Sequence, residues 1–210
     1  QGSFVKEVND QFKTQVNAKY AFYRTHYVNN DDKLIEVDNL YKQREVYVST
    51  ANMYTIFPFW DVSMSYDFQW NEMKADMYGF VFPTRFTNLL SIATALRLGK
   101  VKLQGSGLAT FVNDRVKEGP APKARQILTP AVFLSYKLFD KHDFSLRAFY
   151  KKTFRMPTFN DLYYADMGNS KLDPEYVTQY NLGTVYQKQW GNKLFRHFKI
   201  QADGYYNYVK

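Results

Sequence analysis

Apolar and polar residues alternate along most of this chain. From Phe12 one row reads Phe12, Thr14, Val16, Ala18, Tyr20 and Phe22, while the other reads Lys13, Gln15, Asn17 and Lys19. The stretch from Asp61 is more regular. Val62, Met64, Tyr66, Phe68 and Trp70 fall on one side, and Asp61, Ser63, Ser65, Asp67 and Gln69 on the other. A period of two puts successive side chains on opposite faces of an extended strand. The pattern recurs at 46–57, 86–98, 101–113, 127–139, 144–154, 176–190 and 195–209, which predicts nine strands. A helical period fits none of these stretches well.

The links between the predicted strands alternate in length. Short ones fall at Pro58–Phe59, Gly99–Lys100, 140–142 and 191–193; long ones fall at 29–44, 73–85, 114–125 and 156–174. An antiparallel up-and-down meander produces this order, with tight turns at one end and elaborated loops at the other. Most strands exceed the usual soluble length of about five or six residues. They reach the roughly 9–11 residues needed to cross a bilayer core. Aromatic residues gather near the tight turns (Phe57, Phe59, Trp60, Trp190), as at a membrane–water boundary. The predicted fold is therefore all-β: a meander of about nine long strands within a transmembrane β-barrel. In a soluble β-sandwich, the alternative, the same apolar rows would face the chain's own core. Nine is an odd number, whereas single-chain bacterial barrels use an even one. The last strand runs to Tyr208, Val209 and Lys210 with no stop signal. Unpaired edges are costly in lipid, so the expectation is one partial barrel domain over residues 1–210.

Composition refines this picture. The chain has 210 residues, 19% aromatic content, a formal net charge of +8 and no cysteine. Disulfides and thiolate metal sites are thereby excluded. The positive charge suits nucleic acid, lipid headgroups or acidic small molecules. No apolar run is long enough for a membrane-spanning helix, which leaves strands as the spanning element. Gln1–Ser3 match the remnant of a cleavable tag as well as ordinary sequence, and they carry no weight in the fold argument.

One irregular stretch interrupts the strands. It contains FRMP at Phe154–Pro157, LYY at Leu162–Tyr164 and GNSKLDPE at Gly168–Glu175, and YNLG follows at Tyr180–Gly183. In physical terms, Pro157 suits a strand exit, Gly168-Asn169 is a turn signal, and Pro174 can open the next strand. The set also resembles the β-barrel motif of TonB-dependent outer-membrane receptors, at Phe154, Arg155, Pro157, Leu162, Tyr163, Gly168, Asn169, Leu172, Pro174, Glu175 and Gly183. Two departures stand out. Ser170-Lys171 replaces a common Pro-Asn, and Asn181 stands where relatives often carry Glu. The resemblance implies a barrel of about 22 strands around a plug domain. The plug and the remaining strands would lie outside this segment. It further implies a Gram-negative outer-membrane location, energy coupling through the TonB complex, and import of a scarce ligand.

The ligand candidates are loop residues. Tyr78, Phe80, Phe82, Phe159, Tyr163 and Tyr164 offer rings for stacking, and Asn160, Asp161 and Asp166 offer polar contacts. Receptors for haem in this family place a His between the motif's halves, but Thr158–Gly168 has none, which disfavours haem. A metal chelate such as a siderophore, or cobalamin, is the expected cargo. No resident cofactor or metal site is read. The rows expected to face inward carry Lys13, Lys19, Lys102, Arg147, Lys151, Arg155 and Lys199 against fewer acids. His26, His142 and His197 are scattered, and there is neither a P-loop nor a dinucleotide turn, so an enzyme is not expected. Nucleic-acid sheets put basic and aromatic residues on one face. Here they sort onto opposite faces, so the expected partners are membrane lipid, plug, TonB complex and chelate.

Overall fold

The computed structural model describes residues 1–29, 37–119, 121–139, 143–163, 168–169, 171–189 and 197–210. Its strands are β1 (Gly2–Asn9), β2 (Phe12–Asn29), β3 (Val37–Phe57), β4 (Trp60–Ala75) and β5 (Thr84–Leu98). They continue with β6 (Val101–Arg115), β7 (Arg125–Lys137), β8 (Asp143–Arg155), β9 (Glu175–Gln189) and β10 (His197–Val209). A single helical turn, α1 (Phe159–Tyr163), lies between β8 and β9.

All ten strands form one antiparallel sheet in strict chain order, from β1 to β10. The sheet does not close, and β1 and β10 each pair on one side only. The meander is thus the expected one, with a tenth strand in front. That strand joins β2 through a tight turn in which Asn9 Oδ1 accepts the amides of Gln11 (2.9 Å) and Phe12 (2.7 Å). At the two-residue turn between β5 and β6, Gly99 takes φ +56°, which glycine adopts without steric cost. The longer links are shorter than the apolar pattern implies. β3 already begins at Val37, because its first residues keep their ladder to β2 without needing apolar side chains. The predicted turns at 140–142 and 191–193, and with them His142 and Trp190, lie outside the described residues.

Register fixes the two faces. Asn17, Ser49, Asp67, Leu89, Thr110 and Ile127 stand in one row across β2–β7, on the polar face. On the other face Val16, Val48, Met64, Tyr66, Leu90, Ile92, Leu128, Leu134 and Leu182 are all exposed. No second layer covers them among the described residues. An apolar face of this extent is not left open to water by a soluble monomer. The sandwich alternative required these rows to be tucked into a core, and the fold does not provide that core.

Aromatic rings bound this face at two heights. Near the tight turns Phe144, Tyr186 and Phe198 follow one another at 6.4 and 6.3 Å across β8–β10. Near the loops Phe154 and Tyr176 lie 6.5 Å apart. Ten residues of β8 separate Phe144 from Phe154. At about 3.4 Å per residue and a tilt of about 40°, that step covers about 26 Å, close to the height of a barrel's apolar band.

Candidate ligand site beneath the loops

The segment after β8 leaves the strand at Met156 and folds over the polar face. Thr158 starts α1 with a reciprocal cap. The Thr158 amide donates to Asp161 Oδ2 (2.8 Å), and the Asp161 amide donates to Thr158 Oγ1 (3.2 Å). This T-x-x-D arrangement satisfies two orphan donors of the turn. Arg155 adds a contact from Nη2 to Asp161 Oδ2 at 3.2 Å. The Thr158 amide first, then the Thr158 hydroxyl and Arg155, hold the Asp161 carboxyl below the usual carboxylate range.

A prediction follows from the sign of that shift. A depressed carboxylate contributes stability that is fully present above its ordinary pKa of about 4 and is lost as pH falls through its lower folded value. Acidification below about pH 4 should therefore open the cap. The protection of the Thr158 amide, its exchange rate relative to that of a free amide at the same pH, should fall in that window and should stay constant in Asp161→Asn. Protection at Thr158 that is unchanged by acidification below that point would contradict the cap.

Spacing of three puts Phe159 and Leu162 on one buried face of α1. Phe159 joins Tyr41, Met73 and Phe80 in a buried cluster, with Tyr27, Ala75, Met77, Phe82 and Tyr163 around it. Tyr41 and Phe80 meet edge-on at 6.2 Å, and Phe80 meets Phe82 at 5.4 Å. Phe82 holds a left-handed φ of +49°, strained for an aromatic residue and kept in place by this packing and by Lys117 over its ring at 5.3 Å.

A buried ion pair pins the segment from the side. Arg85 Nε and Nη2 donate to Asp114 Oδ1 and Oδ2, both at 2.7 Å. Its Nη1 donates to the Pro157 carbonyl at 2.6 Å, and its guanidinium lies 5.2 Å from the Phe159 ring centre. One side chain on β5 thereby ties together β6, the strand exit and α1. Burial pushes the Tyr163 phenol upward, with the Asp114 charge adding to the effect.

Beneath α1 lies a depression of about 440 Å³ on the polar face. Gln43, Gln69, Asn71, Thr87 and Thr110 line it together with Phe159. Thr110 is buried there and its hydroxyl has no partner among the described residues. Most cations of the inward rows are neutralised locally. Lys13 pairs with Glu7, Lys19 with Glu45, Arg147 with Asp203 and Arg155 with Asp161. Lys102, Lys151 and Lys199 make no ion pair among the described residues, so the inward field is weaker than the residue count implies.

The candidate residues divide by environment. Phe80 and Phe159 are only 2% and 5% exposed, so their rings pack the loops. Phe82 and Tyr163 flank the same cluster. Tyr78 is fully exposed, Asn160 is exposed, and Asp161 serves the cap. Tyr164 and Asp166 lie outside the described residues. Tyr41, Met73, Arg85 and Asp114 belong to the site without having been singled out by sequence. A hairpin signal was available for the last two, since a two-residue turn at 99–100 sets Arg85 directly opposite Asp114.

The motif's remaining residues have local roles. Asn169 Oδ1 accepts the Lys171 amide at 3.0 Å, closing a side-chain turn after Gly168. Asp173 pairs with Arg125, Pro174 is buried, and Glu175 opens β9, while Leu172 remains exposed. Gly183 makes room for a charge. A Cβ there would sit 2.0 Å from Asp203 Oδ1 and 3.2 Å from the Ala202 carbonyl. Arg147, Gly183 and Asp203 stand in one row, and the Arg147–Asp203 pair (3.2 Å) crosses over β9 through this gap.

A family profile described as "TonB dependent receptor-like, beta-barrel" matches residues 3–210. The chain belongs to this family of TonB-dependent receptor barrels. The fold of the receptor barrel agrees with solved structures of low identity. A copper transporter, OprC, superimposes with a TM-score of 0.71 at 16% identity, covering 99% of this chain and 37% of that one. The ferric citrate transporter FecA, unliganded, gives 0.60 at 12%, covering 98% and 37%. FpvA of P. aeruginosa, bound to heterologous pyoverdines, gives 0.59 at 15%, covering 99% and 37%. This receptor barrel segment therefore spans less than half the length of those structures. No curated protein sequence matches it.

In the receptor barrel the polar face becomes the lumenal wall, and α1 hangs inside it. Gly183→Ala should then displace Asp203 and cost on the order of 1 kcal/mol, a partly exposed ion pair being weak. The same change in an Asp203→Ala background should cost clearly less. Denaturant midpoints of the refolded barrel measure both, and equal penalties would remove the role assigned to the gap.

Proposed function

We propose that this chain is the mid-barrel wall of a Gram-negative outer-membrane receptor that binds a small metal chelate, such as a siderophore, or cobalamin, beneath its outer loops. Import is then driven through the TonB complex, with a plug domain filling the lumen. The observation that carries this reading is the barrel-family match across 3–210, on a chain whose motif segment folds inward above a polar depression. The exposed apolar face supports contact with outer-membrane lipid. Tyr78 and Asn160 are the exposed candidates for direct ligand contact, with Tyr164 and Asp166 following Asn160 closely in sequence. Phe80, Phe82, Phe159, Asp161 and Tyr163 set the shape of the mouth. The reading is transport without catalysis.

The test uses the whole receptor in cells. A labelled ferric chelate and labelled cobalamin are offered to strains with and without it, and with and without the TonB system. Uptake of one of them should require both. Uptake that persists without the TonB system, or that ignores the receptor for both labels, would overturn the proposal.

A further inference from the structure

We infer that the depression beneath α1 selects an uncharged chelate whose outer edge carries amide groups, and turns polyanionic chelates away. This rests on the receptor reading above and names the class of cargo within it. Gln43, Gln69, Asn71, Thr87 and Thr110 bring three side-chain amides and two hydroxyls to one wall. None of these five side chains makes a hydrogen bond among the described residues. Thr110 is the sharpest case. It is 2% exposed, and its hydroxyl is left without a partner there. A buried hydroxyl that has lost water without gaining a partner is destabilising. A bound amide offers it both a carbonyl acceptor and an N–H donor, and offers the same to each side-chain amide of the wall.

Among the described residues, the charges on the strands around the depression leave no positive excess. Lys19 lies 2.9 Å from Glu45, Arg85 holds Asp114 at 2.7 Å, and Arg155 lies 3.2 Å from Asp161. Each pair is neutral. Asp67, the next inward residue below Gln69 on β4, adds a negative charge and accepts the Tyr47 hydroxyl at 3.2 Å. Of the inward strand cations without an ion pair, Lys151 comes nearest. It stands two strands and four residues from Thr110, about 16 Å away, where salt screens most of its field. Lys117 is held over the Phe82 ring in the loops above. An anion entering the depression loses hydration, gains no counter-charge and meets Asp67.

A neutral sugar would find hydrogen bonds here but no open aromatic face for its apolar side. Phe159 is 5% exposed, with the Arg85 guanidinium 5.2 Å from its ring centre. Phe154 belongs to the outward row with Tyr176. The volume of about 440 Å³ is at the small end of ligand sites. It fits one amide-bearing arm, with the rest of the chelate facing the loops.

The experiment measures affinity by titration calorimetry on the full receptor in nanodiscs. The probes are a neutral, amide-linked ferric trihydroxamate, cyanocobalamin, the trianionic ferric tricatecholate, and maltotriose. One of the two amide-bearing probes should bind on the order of a hundredfold more tightly than the tricatecholate. Thr110→Val keeps the side chain's shape and removes its hydroxyl. It should lower affinity for the preferred probe about tenfold, while the thermal midpoint of the empty receptor stays equal or rises because the orphaned hydroxyl is gone. A threonine with a purely structural role would move the midpoint and not the affinity. Gln69→Lys should narrow the gap between neutral and anionic probes about tenfold, which keeps the test available if Thr110→Val does not assemble. Equal or tighter binding of the tricatecholate overturns the inference and leaves the chelate-receptor reading standing. Unchanged affinity in Thr110→Val, or an unchanged gap in Gln69→Lys, also overturns the inference. Binding of maltotriose alone, or of none of the four probes, overturns the functional reading beneath it.

Discussion

Asp114→Asn will destabilise the loop end of the barrel by about 3–5 kcal/mol, because it leaves the Arg85 guanidinium buried without its counter-charge. Arg85 and Asp114 are 9% and 6% exposed, so solvent cannot take over the lost interaction. Pro157 keeps its donor only while Arg85 stays in place, so the damage spreads to α1. Backbone exchange across residues 158–163 should accelerate in the same variant. The double change Arg85→Met, Asp114→Leu should recover most of the loss, since matched apolar residues of similar volume replace a buried pair at little cost. Denaturant midpoints in refolded barrels report the first effect, and exchange reports the second. A wild-type midpoint in Asp114→Asn, with residues 158–163 still protected, would show that the pair does not hold the segment.

Ile92→Arg will cost about 2–4 kcal/mol in a bilayer, the penalty for a cation near the midplane of a barrel's lipid face. Ile92 lies mid-strand on β5 and is 56% exposed on the apolar face, beside Met64 and Gly107. Its neighbour Ser91 points to the polar face, opposite Ser65 and Leu108. Ser91→Arg should therefore cost far less, since an arginine there reaches water. Folding free energies measured in vesicles for the two variants give a direct contrast between adjacent residues. Equal tolerance of both would mean that the apolar face does not meet lipid.

Sequence legibility followed the bilayer. Strands whose outward residues must be apolar, such as 61–70 or 86–98, announced themselves by alternation. The first residues of β3 did not, because Asp38, Lys42 and Arg44 put charges on the face that is apolar further along the strand and so break the alternation. β1 escaped for a related reason, since Lys6 and Glu7 break its alternation and Asn9-Asp10 reads as a plain turn. The motif segment was visible as a unit, but the state of its rings was not. Phe80 and Phe159 look like free aromatic surface in a list of loop residues. Only the fold shows that Tyr41 and Met73, from distant strands, bury them. Arg85 and Asp114 could have been paired from the Gly99-Lys100 turn alone, by counting outward along both strands.

The strands are unequal in length, and this shapes the mouth of the barrel. β3 runs for 21 residues, whereas β7 and β8 run for 13 each. Eight residues of tilted strand amount to about 20 Å of extra height. The rim therefore slopes, with a parapet over β2–β3 and a low sill over β7–β8. α1 rises from the sill and leans against the parapet, Phe159 resting on Tyr41 and Met73, so in the receptor proposed above the doorway is slanted and an arriving molecule enters sidelong.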